Sequence, residues 1–304
     1  MISVVIPVKD GGEGLARCLA GIRSQKASEE VEIVVIDSGS TDGSLDVARA
    51  HEAVVYEIPT RDFSHGASRN LGASRARGEL LVFLSQDAVA VDEQWLTRLT
   101  APVLRDDGCA GAYGRQLPNE GATPPESYFL NFLYGPEPRR QRAPTVDELS
   151  MNTTLFSNVN SAIPRDIWQR FPFVEDIIMS EDQEWSRRVL LAGFSIAYEP
   201  AAAVRHSHNY SMAGAFRRFF DSGASSSRAY MAGARNSSRV LRSSAIDYAR
   251  GEIRWLWQTG QRRWIPYAAL YESAKMVGLL AGVKHERIPL GLKRRLSMMP
   301  SYWG

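Results

Sequence analysis

Cysteine is almost missing from this chain: Cys18 and Cys109 are the only two in 304 residues, and neither belongs to a CxxC or Cys/His metal spacing. A disulfide framework and a structural zinc site are thereby excluded, and a reducing, cytoplasmic setting is the expectation. Long apolar runs are missing too. The longest, residues 265–283, is broken by Glu272 and Lys275, so it reads as a buried or surface-lying helix and not as a membrane span. The opening MISVVIPVKDGG has no basic leader and only a strand-length apolar stretch, which argues against a signal peptide. The dinucleotide fingerprint GxGxxG is also absent. KDGGEG stands in its place at residues 9–14, which disfavours a nicotinamide-dependent oxidoreductase.

With 44% hydrophobic and 23% charged residues, the chain can bury a sizeable core in one large domain or two modest ones. Its charge is unevenly spread: residues 1–204 hold 19 Lys/Arg and 29 Asp/Glu, net −10, whereas residues 205–304 hold 17 and 5, net +12. An acidic part suited to holding a cation is followed by a basic part suited to an anionic partner. Among the basic residues are Arg217, Arg218, Arg228, Arg235, Arg239, Arg242, Lys293, Arg294 and Arg295, interleaved with Trp255, Trp257, Trp264 and Tyr267. A solvated helix or attachment to anionic lipid headgroups fits this pattern. No nucleic-acid motif accompanies it, so no nucleic acid is expected.

Apolar periodicity alternates between strand and helix. Residues 2–8, 31–36, 53–58 and 80–84 read as strands, and residues 15–25, 44–52 and 68–77 as helices, the second following the capping candidates Ser40, Thr41 and Asp42. Strands at this spacing form a doubly wound, mostly parallel α/β sheet, whose ligands bind beyond the carboxyl ends of its strands. A strand over 110–115 follows, then residues 118–144, rich in Pro and Arg, read as a long loop over the site. A helix over 182–192 and a strand over 195–198 come next, and a basic helical region closes the chain.

Three acidic positions follow strands or open a helix: Asp37, Asp87 and the pair Glu181 and Asp182. A carboxylate at a strand's end can hold a ribose, a base edge or a metal. Turn and cap chemistry is the plainer reading of Asp37, and a helix N-terminus that of Glu181 and Asp182.

In order, VVIPVKDGGEGLARCLAGIRSQ and EIVVIDSGSTDGS resemble the opening of the inverting glycosyltransferases whose family includes cellulose, chitin and hyaluronan synthases. FSHGASRNLGASRARGELLVFLSQDA, SEDQEWSRRVLLAGFSIAYEP and AVRHSHNYS are similar to its rhamnosyltransferase-like branch, over roughly residues 1–220. The resemblance implies a GT-A fold with a catalytic domain over 1–212 and a helical region over 213–304. It implies that Pro7, Lys9 and Asp37 border the base and ribose of a nucleotide sugar, that Arg69 lies near the nucleotide or its phosphates, and that Asp182, beside Glu181, takes the proton of the acceptor hydroxyl. The family's Asp-x-Asp metal motif reads Ser85, Gln86, Asp87 here, so Asp87 is the expected ligand of Mg²⁺ or Mn²⁺. His206 or His208 can add an imidazole. If a strand continues through them both rings share one face, with His208 preferred. Asn158 and Asn160 stand where the family makes acceptor contacts, and Trp185 is open between packing and sugar stacking.

The implied reaction moves a sugar, L-rhamnose from dTDP-β-L-rhamnose foremost, to a cell-surface polysaccharide or lipid-linked glycan. UDP-hexose or UDP-N-acetylhexosamine donors, or non-catalytic nucleotide-sugar or glycan binding, are the alternatives. The expected location is cytoplasmic, peripheral on the inner face of the plasma membrane.

Overall fold

The computed structural model describes the backbone of residues 1–229 and 237–304, with side chains described there except in 237–245. Arg235 of the basic tail lies outside the described residues, as do the side chains of Arg239 and Arg242.

Strand β1 (Ile2–Val8), helix α1 (Gly12–Arg23), strand β2 (Val31–Asp37), helix α2 (Ser44–Ala50), strand β3 (Val54–Glu57), helix α3 (His65–Arg75) and strand β4 (Leu80–Leu84) form the expected parallel unit, ordered β3-β2-β1-β4. Strands β1, β2 and β4 are near-continuous apolar runs because both their faces are covered, whereas β3 lies half-exposed at the edge. Ile2, Val4, Ile6 and Val8 of β1 turn to one layer with Leu15 and Leu19 of α1. Val5, Val34 and Ile36 turn to the other, with Ala73 of α3.

Beyond β4 the sheet becomes mixed. Strand β5 (Val89–Ala90), helix α4 (Trp95–Arg105), strand β6 (Cys109–Leu117), helix α5 (Pro124–Leu133), strand β7 (Arg139–Gln141), strand β8 (Asn160–Pro164), helix α6 (Arg165–Arg170), helix α7 (Glu181–Leu191) and strand β9 (Ser195–Arg205) complete it. Strand β8 lies antiparallel between β4 and β6, β9 runs parallel to β6, and β5 and β7 pair antiparallel to β9. One edge of the sheet therefore receives the ends of β1, β2, β4, β6 and β9 and the start of β8.

Two expectations need correction. Residues 118–144 are not one loop, because they contain α5 and β7. Pro124 and Pro125 stand at the first positions of α5, where a missing N–H costs nothing and the fixed φ suits the helix, so the prolines start structure here. The strand over 195–198 continues to Arg205, carrying the chain to the ligand edge.

Helices α8 (Met212–Ser226), α9 (Ser237–Gln258), α10 (Ile265–Val283) and α11 (Leu290–Leu296) close the chain. Helices α8 and α10 meet backbone to backbone: a Cβ on Gly278 would stand 2.3 Å from the Phe216 carbonyl oxygen, and one on Gly282 2.0 Å from that of Phe220. Tyr128 of α5 lies 5.2 Å from the Tyr248 ring and 5.8 Å from the Trp255 ring, so α9 packs on the segment over the site.

Candidate active site

At the ends of β1 and β2 the side chains mostly satisfy their own turns. Lys9 Nζ donates to the Ser38 carbonyl and to Thr60 Oγ1, at 3.3 and 3.0 Å. The buried Asp37 carboxylate accepts the N–H groups of Gly39 and Ser40, each at 2.9 Å, so its own turn holds it in place. Pro7 lies half-buried beside Ile36. Gln86 accepts the Lys9 N–H at 2.8 Å and donates to the Lys9 carbonyl at 3.1 Å, stitching the half-buried Ser85, Gln86 and Asp87 turn to the end of β1.

Asp87 faces two imidazoles. Its Oδ1 and Oδ2 lie 3.5 Å from His206 Nε2 and His208 Nε2 respectively, and the two Nε2 atoms are 3.1 Å apart. Both rings reach one place although β9 ends at Arg205, because the His206 N–H still bonds the Leu117 carbonyl and continues the alternation. His206 Nδ1 lies 3.0 Å from Gln116 Oε1, an acceptor, so Nδ1 carries the proton and Nε2 presents a lone pair. Burial, reinforced by the charges of His208 and Arg218 against that of Asp87, pushes His206 down to about 4 and keeps it neutral. One carboxylate oxygen and two imidazole nitrogens within 4.8 Å of one another fit the donor set of a divalent cation, whose neighbouring ligands at bonds of about 2.1 Å stand roughly 3 Å apart.

The second cluster opens α7. Ser180, at φ 65°, takes the left-handed region immediately before it, an uncommon position for a residue with a side chain. Glu181 is buried; its Oε1 accepts from Arg69 Nη1 at 2.6 Å and from Asn158 Nδ2 at 3.3 Å. Burial opposes its charge, but the Arg69 guanidinium, together with His65 and the hydrogen bonds to the carboxylate, outweighs it and holds the Glu181 carboxyl below the usual range. Asp182, half-buried, accepts from the N–H groups of Asn158 and Gln183 at 3.1 and 2.8 Å. Burial, then the neighbouring Glu181 charge, pushes it up to about 7. The Arg69 guanidinium, which the resemblance places near the nucleotide or its phosphates, pairs with Glu181, because α3 sets it against the start of α7.

A polar chain links the clusters. Gln116 donates from Nε2 to Tyr134 Oη at 2.8 Å and to Ser157 Oγ at 3.0 Å, while its Oε1 takes the His206 proton. Ser157 precedes Asn158, whose N–H holds Asp182, and the Asp182 charge is felt at the buried Tyr134.

Two acceptor-side expectations fail on burial. Trp185 is fully buried, its ring 4.7 Å from Phe156 and 6.3 Å from Phe173, because α7 turns it into the core. Asn160 is also fully buried, accepting from Trp95 Nε1 and donating to the Ala202 carbonyl, which braces β8 against α4 and β9. Asn158 alone of the three touches the acids. Periodicity missed Gln116 and Arg218, since the first sits in an apolar strand and the second reads as tail charge. Half-buried on α8, Arg218 bonds Tyr210 and touches Met179 Sδ, and among the described residues it forms no ion pair with a carboxylate.

The family model described as Glycosyl transferase family 2 matches residues 3–170. The chain is 30% identical over 305 residues to the O-antigen chain rhamnosyltransferase RfbN of Salmonella typhimurium (strain LT2), covering 99% of this chain and 96% of that protein. It is 31% identical over 281 residues to the O-antigen chain rhamnosyltransferase WbaN of Salmonella anatum, covering 92% and 88%. Among solved structures, the mannosyltransferase PcManGT from Pyrobaculum calidifontis, in complex with GDP-Man and Mn²⁺, matches with a TM-score of 0.59 at 17% identity over 92% of this chain and 86% of that one. At that identity the likeness is one of fold, the GT-A fold.

Proposed function

The chain belongs to glycosyl transferase family 2, and from that premise we propose that it moves L-rhamnose from dTDP-β-L-rhamnose to a hydroxyl of a cell-surface polysaccharide or lipid-linked glycan, inverting the anomeric centre. The observation that carries this reading is the polar chain from Asp87, His206 and His208 through Gln116 to the neighbourhood of Asp182. It joins a place for a diphosphate and its cation to a carboxylate poised to take a proton. The near end-to-end match to two rhamnosyltransferases supports the choice of sugar.

Asp182 is the base. A carboxyl raised to about 7 accepts a proton at neutral pH more readily than an ordinary aspartate, and a positioned base contributes about 10²–10⁴ in rate. Glu181 stays ionised, and its charge makes the neighbouring Asp182 carboxylate more basic. Asn158 holds both acids in place. Asp87, His206 and His208 would hold the divalent cation, which when bound supplies charge to the leaving diphosphate. Two imidazoles in the donor set favour Mn²⁺ over Mg²⁺, which prefers oxygen. Arg218, which among the described residues pairs with no carboxylate and whose field reaches both His206 and His65, is placed to share the diphosphate charge. Residues 1–212 thus carry most of the chemistry and residues 213–304 add Arg218. The basic charge of that second part draws the chain toward anionic lipid.

Calorimetric titration with dTDP-rhamnose, UDP-glucose and UDP-N-acetylglucosamine, each with Mn²⁺ and then Mg²⁺, tests the reading. Tightest binding of dTDP-rhamnose with Mn²⁺ is expected. Preference for a UDP-sugar would move the donor within the family, and no binding of any nucleotide sugar would remove the transferase reading.

A further inference from the structure

Helix α10 is built inside out. Its two charged side chains, Glu272 and Lys275, lie on the inner side: they pair at 2.8 Å, and the buried Lys275 ammonium stands 4.3 Å from the Phe129 ring centroid and 4.9 Å from that of Phe219. The other side carries Leu270, Val277 and Leu280, which are 66%, 57% and 49% exposed. A helix that faces water does the reverse. The close contact with α8 runs through Gly278 and Gly282, where no larger side chain would fit, so the inner face buries only Ala268, Tyr271 and Lys275 beside them. The leucines and valine are left outside.

Charge around this face is of one sign. Arg262 and Arg263 precede α10 and Lys284 and Arg287 follow it, all exposed, with Glu286 as the one acid among them. A second copy of the chain would bring these like charges together, within a region of net +12. An anionic bilayer surface answers both the apolar face and its basic rim. Among the described residues no helix is long and apolar enough to cross a membrane, so the geometry suits a helix lying in the surface.

We propose that α10 lies in the plane of an anionic membrane surface, with Leu270, Val277 and Leu280 below the headgroups and the flanking arginines and lysine at the phosphates. This surface goes beyond the charge attraction of the tail, because insertion is not screened by salt. It stands apart from the catalytic reading, which none of its residues serves.

The test is flotation of the full chain with vesicles of phosphatidylcholine alone and of phosphatidylcholine mixed with phosphatidylglycerol, at low and high salt. Binding to the mixed vesicles that partly survives high salt is expected, with little binding to phosphatidylcholine alone. Val277→Asp with Leu280→Asp, and separately the more exposed Leu270→Glu, should each weaken mixed-vesicle binding by about tenfold or more while melting temperature and nucleotide-sugar binding stay unchanged. Unaltered flotation of both variants overturns the proposal, as does complete release of the wild type by salt. Sedimentation that finds a wild-type dimer and a monomeric variant, with no flotation, overturns it in favour of a contact between copies. Nucleotide-sugar binding, measured alongside, fails only if the catalytic reading fails.

Discussion

The two charged clusters on the ligand edge are finished differently. In the acid pair, Glu181 is answered by the protein itself: Arg69 and Asn158 both donate to its Oε1, and it is buried and ionised. Asp182, one residue on, receives only two backbone N–H groups and is driven toward its neutral form. At the other cluster, Asp87 meets two imidazoles, of which His206 is held neutral, and among the described residues no arginine or lysine pairs with it. A carboxylate answered within the fold is scaffolding, whereas one left unanswered awaits a proton or a cation from outside. Position in the sequence alone cannot tell Glu181 from Asp182, yet their surroundings divide the two roles.

The largest effect expected on this contrast is at Asp182. Asp182→Asn should lower kcat by about 10³ while leaving nucleotide-sugar affinity within a fewfold, the signature of a lost base. The sign of the pH dependence follows from the raised value. The base works ionised, so wild-type turnover should climb as pH rises through about 7 and fall away below it. A pH–rate profile that stays flat from 5 to about 8, or a D182N enzyme that turns over normally, would remove Asp182 from this role.

Glu181→Gln tests the other half of the contrast by stability. It leaves Arg69 buried without its partner, at a cost of about 3 kcal/mol, read from the denaturant midpoint. Little change would mean that the ion pair is not what holds the start of α7. Next in size, His206→Ala should weaken turnover about 10²-fold at fixed Mn²⁺, with partial recovery as Mn²⁺ is raised. Loss that no metal concentration relieves would count against the cluster as a cation site.

Much of the fold was legible because β1, β2 and β4 are buried on both faces, and buried strands leave apolar runs rich in β-branched residues. The helix α5 was not, since Pro124 and Pro125 read as breakers until their place at its first turn is known. Site residues divide along a similar line. Acids at strand ends are visible because a charge following an apolar run is conspicuous. The alternation through His206 and His208 carried the prediction of a shared face to the observed contact with Asp87. The surroundings of Trp185, left open between two readings, and of Asn160 and Arg69 were not legible, because they are set by segments distant in sequence: Phe156 and Phe173, Trp95 and Ala202, and Glu181 respectively. Arg218 reads as one more tail charge until α8 brings it to Tyr210.

Gln116 offers the smallest and most pointed test, because it belongs to neither cluster. It is 5% exposed at the end of β6 and holds His206 in the tautomer that presents Nε2. Gln116→Leu keeps the volume close but strips the His206 Nδ1–H of its acceptor and Tyr134 and Ser157 of their donor. The ring can then carry its proton on either nitrogen, so a fraction of molecules presents no lone pair to a cation. Mn²⁺ affinity should fall by about tenfold, the lower end of what an orienting partner contributes, and turnover should recover at high metal. Direct Mn²⁺ titration reads this without turnover. Unchanged affinity would mean that His206 needs no orientation from Gln116, and the link between the clusters would be packing alone. Gln116→Glu sharpens the same point, since a carboxylate acceptor raises the basicity of Nε2 and should restore or tighten Mn²⁺ binding.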